Sequence, residues 1–418
     1  MQNLQISSEQ IDKIKKITAK EKNFRIKNLE FFKTIGFPNK KFEDWKFSDF
    51  KDIINKNFAE LDVKKVSSKA KKINLIKEFE HNHIMLVNGN LYSSSFDHED
   101  KSKIKINSYK NETDYEISKN PLVCLNHALA ENGYFLEIAK NYKFKKVLVV
   151  YNFFTNEVKN KILNNKNKIK VNEDAELHII EYTINESKFK FVNNVFETII
   201  LEKNSKLRNL FVQGNKSDGF FYKYLKNKLY FNSDFSNLIF SSGLKFNKLD
   251  IKCDLIEENS SCNILAALFL KKNEHQEIKT LINHLAPNCK SNQKVKNVLS
   301  SESKGVYQGK IYVRDVAQKT DAYQLSKALL LTEDSEFNSK PELEIYADDV
   351  KCSHGSSSGN IDEDSLHYLM TRGLNRQQAT ELLIKGFLND IMEFIKSSTI
   401  KKFIETKLED QINGSKQN

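Results

Sequence analysis

From about residue 146 to residue 349 the chain is a succession of short runs of Val, Ile, Leu, Phe and Tyr, with no long helical pattern between them. The runs include 147–154, 177–184, 195–201, 207–212, 249–255, 264–270, 278–284 and 309–313, and only Pro287 and Pro341 interrupt the series. Apolar runs this short, separated by polar turns, read as strands, so the unit is all-β. Few turns carry a hairpin dipeptide and the segment lengths are irregular, which fits a β-helix or a large sandwich. The polar stretches Lys203-Asn204-Ser205-Lys206 and Glu257-Glu258-Asn259-Ser260-Ser261 read as corners between stacked strands and favour the β-helix. The residues by themselves leave both architectures open.

Helical segments flank this unit. Ser7 and Gln10 form a capping box ahead of Ile11, Ile14, Ile17, Phe24, Leu29 and Phe32, which are spaced as one helix ended by Gly36 and Pro38. Trp45, the only tryptophan, lies among Phe42, Phe47 and Phe50 and is expected to anchor this cap to the next unit by burying aromatic area. Residues 62–80 read as a solvated connector, 84–92 as two strands about an Asn88-Gly89 turn, and His127 as a helix-face residue. Beyond a Gly- and Ser-rich turn at 355–359, residues 362–372 read as a helix closed by Gly373. Asn375 with Gln378 then caps another, whose residues Ala379, Leu382, Leu383, Phe387, Ile391, Phe394 and Ile395 trace one apolar face. Residues after about Lys407 read as frayed. The division is residues 1–115 helical and mixed, 116–360 β core, and 361–418 helical.

The stretch with chemistry runs from Lys340 to Gly355. Pro341 can open a strand but not sit inside a central one, so the run after it is expected to be extended until Gly355. Alternation then puts Tyr346, Asp348, Val350, Cys352 and His354 on one side, with Asp349, Lys351 and Ser353 on the other. A thiol and an imidazole two residues apart are soft ligands, yet a zinc ion or an iron–sulfur cluster usually takes about four. A metal at this pair needs ligands from a partner. His284 with Cys289 is a second soft pair, read as a strand end and turn.

Five cysteines at scattered spacing, none in a Cys-x-x-Cys, argue against a disulfide framework and against a self-contained cluster site. Residues 1–10 lack the basic start and apolar centre of a targeting peptide, and no apolar run approaches a membrane span. The expected location is the cytoplasm. The formal charge of +11 raises nucleic-acid binding, but the 66 basic residues are spread among Asn and Ile and no nucleic-acid motif occurs. No phosphate-binding loop, dinucleotide fingerprint, zinc-protease helix or nucleophile elbow is present either. A carbohydrate-active β-helix enzyme would need paired carboxylates, and Asp348 and Asp349, as adjacent strand residues, would face opposite ways.

Ala317-Gln318-Lys319-Thr320-Asp321-Ala322, then Leu329-Leu330-Leu331, then Lys340-Pro341 leading into Leu343 through Gly355, form an ordered string. It resembles the SufB/SufD family of SUF-system iron–sulfur cluster assembly subunits, in its SufD form. Gly36-Phe37-Pro38 with Glu43-Asp44-Trp45-Lys46, Leu125 to Ala130, and Tyr368-Leu369-Met370-Thr371-Arg372-Gly373 extend the likeness beyond that string. Ser356-Ser357 departs from the commoner Ala-Thr.

The resemblance implies a right-handed parallel β-helix flanked by helical domains, and a non-enzymatic scaffold that pairs with SufB. The position of His354 would lie at that interface and help hold a transient iron–sulfur cluster, with Cys352 beside it. ATP would enter only through SufC, docked at Tyr368, Arg372, Gly373, Leu382, Leu383 and Phe387. The family also implies reduced flavin on the complex, which nothing in these residues locates, and a homodimer for the isolated subunit. A solenoid's last rung must be capped or paired, and 341–355 is the last strongly β-like stretch. The ligand pair and the need for a partner therefore fall at one end.

Overall fold

The computed structural model describes residues 4, 6–14, 17–64, 66–67, 73–109, 115–214 and 216–412. Two sheets face each other. The first holds, in chain order, β1 (Asn82–Val87), β2 (Asn90–Ser95), β5 (Leu148–Phe154), β7 (Glu176–Asn185), β9 (Lys206–Gln213), β11 (Asp234–Ser242), β13 (Ser261–Leu270), β15 (Lys290–Leu299), β17 (Thr320–Leu330) and β19 (Val350–Asn360). The second holds β3 (Ile104–Ser108), β4 (Tyr134–Ile138), β6 (Ile162–Val171), β8 (Phe191–Leu201), β10 (Ser217–Leu229), β12 (Leu244–Leu255), β14 (His275–His284), β16 (Lys304–Val313) and β18 (Glu336–Ile345). From β4 onward successive strands alternate between the sheets and pair in parallel, giving a β-solenoid of about eight turns. The β-helix expectation holds. The sandwich does not, because each strand's hydrogen-bonded neighbour lies one full coil away.

Corners set that pitch. Asn141, Asp174, Asn204, Asn232, Asn259, Asn288 and Lys319 have φ between +53° and +63°, a left-handed conformation in which Asn and Asp cost least among residues with a Cβ. Each amide reaches the next coil: Asn204 N donates to Phe231 O at 2.9 Å, Asn232 N to Glu258 O at 3.0 Å, and Asn288 N to Gln318 O at 2.9 Å. The polar corners read from sequence around 204 and 259 are two members of this ladder.

Strands β6 and β15 and the second half of β19 are not read as strands from the sequence because they are rich in Asn, Lys, Ser and Gly. Some of their inward polar groups bond to the next coil, as where Asn165 Nδ2 donates to Asn193 Oδ1 at 3.0 Å and Asn167 Nδ2 to Glu197 Oε2 at 3.0 Å. Pairing with neighbours, which a local pattern does not contain, makes them strands.

The N-terminal helix is two pieces, α1 (Glu9–Asp12) and α2 (Ala19–Ile35). The Ser7 amide does meet Gln10 Oε1 at 2.9 Å, but α2 starts afresh where Thr18 accepts from the Glu21 amide at 3.1 Å. Trp45 is 1% exposed and packs on Phe50 of α3 (Phe50–Asn57) and on Tyr222 of β10, with ring centroids 5.5 and 5.4 Å away. It anchors the cap as expected. Asn88 and Gly89, both with positive φ, turn β1 into β2, and His127 is buried on α4 (Pro121–Leu129).

The C-terminal helices are α5 (Glu363–Thr371), α6 (Arg376–Met392) and α7 (Ser398–Ile412). The Asn375–Gln378 capping box is present, and Gly373 has φ +98°. The face traced in the sequence is borne out in part: Ala379 and Ile391 are buried and Phe387 and Ile395 pack inward, but Ile384, Leu388 and Met392 join Ile391 against Leu210, Leu238, Phe240 and Leu265, while Leu382 and Phe394 are 49% and 44% exposed. Asp390 fixes the contact by pairing with Lys294 and Lys296 at 3.1 and 2.7 Å. Residues 408–412 are not frayed, since α7 continues to Ile412 and packs Leu408 and Ile412 against the same cluster, and the rest of that expectation, 413–418, lies outside the described residues. α6 and α7 cover a lateral face of the first sheet.

His284 is fully buried between Ser291 Oγ at 2.9 Å and Thr320 Oγ1 at 3.5 Å, and Cys289 lies against Ser260 Oγ at 3.3 Å. This pair is structural. Burial holds the His284 imidazole at about 4, down from 6.5. The folded pKa is depressed, so the stability that neutral His284 contributes is present above the unfolded value and is lost as pH falls from about 6.5 towards 4. Denaturant unfolding should show His284→Gln flattening this part of the pH profile by on the order of 2–3 kcal/mol; a parallel profile would refute it.

Candidate functional site at the open end of the solenoid

The two ends of the solenoid are finished differently. At the first end the sheets close with β2 and β3, each antiparallel to its neighbour. At the other end, among the described residues, β18 pairs only with β16 and β19 only with β17. Two adjacent sheet edges are thus left with unpaired backbone groups, an arrangement that favours addition of another chain's strands.

The stretch 340–355 is not one strand. β18 ends at Ile345, residues 346–349 form a corner, and β19 begins at Val350 in the other sheet. Tyr346 and Asp348 therefore do not share a strand face with the ligand pair. Asp348 and Asp349 sit in the corner, where Asp349 N donates to Gln318 Oε1 at 2.9 Å. Pro341 lies within β18, which the open edge permits. Gly355 does not end the strand and 355–359 is no turn: β19 runs to Asn360, because Leu325 to Leu330 of β17 pair with Gly355 to Asn360.

Within β19 the alternation holds. Cys352 pairs in register with Ala322 and His354 with Gln324. Cys352 packs against Ile311, Val313 and Ala322, so its face turns inward over the last coil. His354 shares that parity yet is exposed, because no further coil covers it. Beneath it lies a polar column: Tyr307 Oη donates to Gln293 Oε1 and to Gln324 Oε1, both at 3.2 Å, and Gln324 Nε2 donates to Glu342 O at 3.2 Å. Beside His354, Ser326 Oγ bonds Ser339 Oγ at 2.7 Å and donates to Ser356 Oγ at 3.0 Å, tying the two last strands together. Ser356, the departure from Ala, thus has a structural partner. Apolar spacing carries no signal for this column; the hint in the sequence is Gln324 and Ser326 standing between Ala322 and Ala328 on the inward face of β17.

Burial, then the charge of Asp321, raises the Cys352 thiol above its ordinary pKa. It is no activated nucleophile, and to act as a ligand it must lose its proton to a bound metal. No group of three or more His, Cys, Asp or Glu positioned for a metal ion occurs among the described residues. The pair is an incomplete coordination set.

The expected docking residues are divided by the fold. Tyr368 is 58% exposed and the Arg372 guanidinium lies 5.2 Å from its ring centroid, beside Gly373. Leu382 faces solvent. Leu383 is half-buried, and Phe387 packs inward, with the Lys296 ammonium 4.7 Å from its ring.

Residues 153–387 match the family described as SUF system FeS cluster assembly, SufBD core domain, and residues 2–150 match the SufBD protein N-terminal region. The chain belongs to the SufBD family. This SufBD chain is 25% identical to the iron–sulfur cluster assembly protein SufD of Escherichia coli, over 91% of its own length and 90% of the relative's. A SufBD family cluster assembly protein of Synechocystis is 29% identical over 50% of this chain and 47% of that one. One from Staphylococcus aureus is 25% identical over 64% and 58%. The chain is a SufD homologue in iron–sulfur cluster assembly. No helix among its described residues is long and apolar enough to cross a membrane.

Proposed function

We propose that this SufBD chain is a non-catalytic scaffold whose open solenoid end pairs with that of a SufB-type partner, so that a nascent iron–sulfur cluster, held as cargo, assembles at the junction. The observation that carries the reading is His354, exposed on the last coil between two unpaired sheet edges, with too few ligands of its own. His354 supplies one nitrogen ligand. Cys352, half-buried and held protonated by its surroundings, is a neighbour that can join once iron is bound. The partner supplies the remaining ligands. The same edges give the isolated chain a second copy of itself to pair with, hence a homodimer. All five cysteines are free, which suits the reducing cytoplasm.

ATP enters through a SufC-type ATPase docked on the C-terminal helices. Because α6 is bonded to the sheet through Ile384, Leu388 and Asp390, deleting it would strip a core face along with any docking surface. The outward residues give the sharper test. Leu382→Glu with Tyr368→Ala should weaken capture of the ATPase by at least ~10-fold, a loss of about 1.4 kcal/mol, while the melting temperature of the chain stays unchanged. Undiminished capture would remove these residues from the interface. The reading as a whole is tested by anaerobic co-expression with the SufB-type and SufC-type partners. A stable complex carrying iron and sulfide is expected, and a chain that loads a stable cluster alone would overturn it.

A further inference from the structure

Two of the five free cysteines meet inside the solenoid, three strands from the open edge of either sheet. Cys253 stands near the end of β12 in the second sheet, and Cys262 near the start of β13 in the first. The corner between them, residues 256–260, brings the sheets together. Cys253 lies in register with Asn227 and Ile282, and Cys262 with Phe235 and Ser291. Both side chains turn inward and are fully buried, in the same apolar core as Leu255, Ile264 and Ile282.

The two sulfurs are in contact. Cys262 Sγ donates to Cys253 Sγ at 3.3 Å, and Asn227 Nδ2 donates to the same Cys253 sulfur at 3.2 Å. Charge developing on Cys253 would therefore meet two donors. At rest the thiol carries none, since burial, then the Cys262 thiol, holds its pKa well above the ordinary value. A third buried thiol nearby is engaged elsewhere: Cys289 Sγ lies 3.3 Å from Ser260 Oγ and donates to Glu257 O at 3.4 Å. Small hydrophobes would fill this space as well. What packing does not call for is one sulfur laid on another with an amide aimed at it. A disulfide holds its sulfurs ~2.05 Å apart, so the pair must close by about 1.2 Å, shared between two side chains.

We propose that Cys253 and Cys262 are a peroxide-modifiable pair, which hydrogen peroxide converts to an internal disulfide tying β12 to β13. The Cys253 sulfur attacks one peroxide oxygen, the O–O bond breaks, and the thiol proton leaves with the departing hydroxide as water, giving a sulfenic acid. The Cys262 sulfur then attacks the sulfenic sulfur. The S–O bond breaks, the S–S bond forms, and the second thiol proton leaves in a second water. One peroxide is reduced to two waters while two thiols are oxidised. Burial makes the first step slow, because the oxidant enters only as the corner opens. Contact makes the second fast, because the resolving thiol is already at hand.

Both cysteines fall in one tryptic peptide, residues 253–271, so the bond reads as a loss of two hydrogens with neither sulfur alkylated. The reduced full chain is held in excess hydrogen peroxide under native conditions, quenched with catalase, unfolded in iodoacetamide and digested. The bridged peptide should accumulate, should exceed any peptide linked through Cys289 by at least ~10-fold, and should regain both alkylations after dithiothreitol. Cys262→Ala should stop at a sulfenic acid on Cys253, which dimedone traps on unfolding. Alkylation of both sulfurs in the peroxide-treated unaltered chain, preferential linkage to Cys289, or a bridge that forms only when the chain is unfolded before oxidation would overturn the proposal.

Discussion

His354→Ala is expected to leave the chain folded and able to join its SufB-type partner, while the iron and sulfide recovered on the complex fall by at least ~10-fold. That factor is the lower bound for changes merely adjacent to a metal ligand, and loss of a ligand itself should do no less. The side chain is exposed on the last coil, so truncation opens no cavity and strands no buried donor. The deficit should therefore appear without a shift in melting temperature. His354→Cys should restore part of the cluster, since a thiolate is also a ligand for iron. Cys352→Ala should cost less than His354→Ala, because the thiol is half-buried and protonated before metal arrives. Iron content that is the same in His354→Ala and the unaltered complex would end the ligand assignment, whatever happened to pairing.

A second large effect is expected far from that end. Lys223, Glu181 and Glu197 point into the solenoid and are at most 9% exposed. The Lys223 ammonium lies 2.7 Å from Glu181 Oε2 and 3.0 Å from Glu197 Oε1, and Asn209 and Asn167 donate to the two carboxylates at 2.8 and 3.0 Å. Burial, then the Glu181 charge, raises the Glu197 pKa, so Lys223 is what keeps these groups tolerable. Lys223→Met should cost about 3–5 kcal/mol, the usual consequence of leaving buried charge uncompensated. Acidification should shrink the loss relative to the unaltered chain, since protonating the carboxylates removes the stranded charge. Replacing all three residues by apolar ones should recover much of the stability. A cost below about 1 kcal/mol, or one insensitive to pH, would mean that the cluster is not electrostatically poised.

Much of the candidate site was legible. Cys352 and His354 share a face because a strand has a period of two, and that parity survived even though the run containing them is broken by a corner at 346–349. The Asn375–Gln378 box, the Gly373 stop and the Asn88-Gly89 turn held because each is closed by hydrogen bonds or torsions within a few residues. The reading failed where a segment's fate rests on a distant one. Gly355 to Asn360 looks like a turn in isolation and becomes a strand against β17. Leu382 looks like core on a helical wheel and is left outside, because α6 turns Ile384 and Leu388 towards the sheet.

The sequence by itself determined the β character of the centre, the corners, the caps and the facing of imidazole and thiol, since all of these follow from torsional preference and short-range periodicity. Only the tertiary structure decided that the last coil carrying the pair is left uncovered, that α6 and α7 lie along a face of the first sheet, and that lysines and aromatic rings from β4, β6, β8 and β10 come together on the second. Those outcomes depend on strand registers between residues some thirty positions apart and on which apolar surfaces find each other. Such long-range packing energies belong to no single stretch of chain.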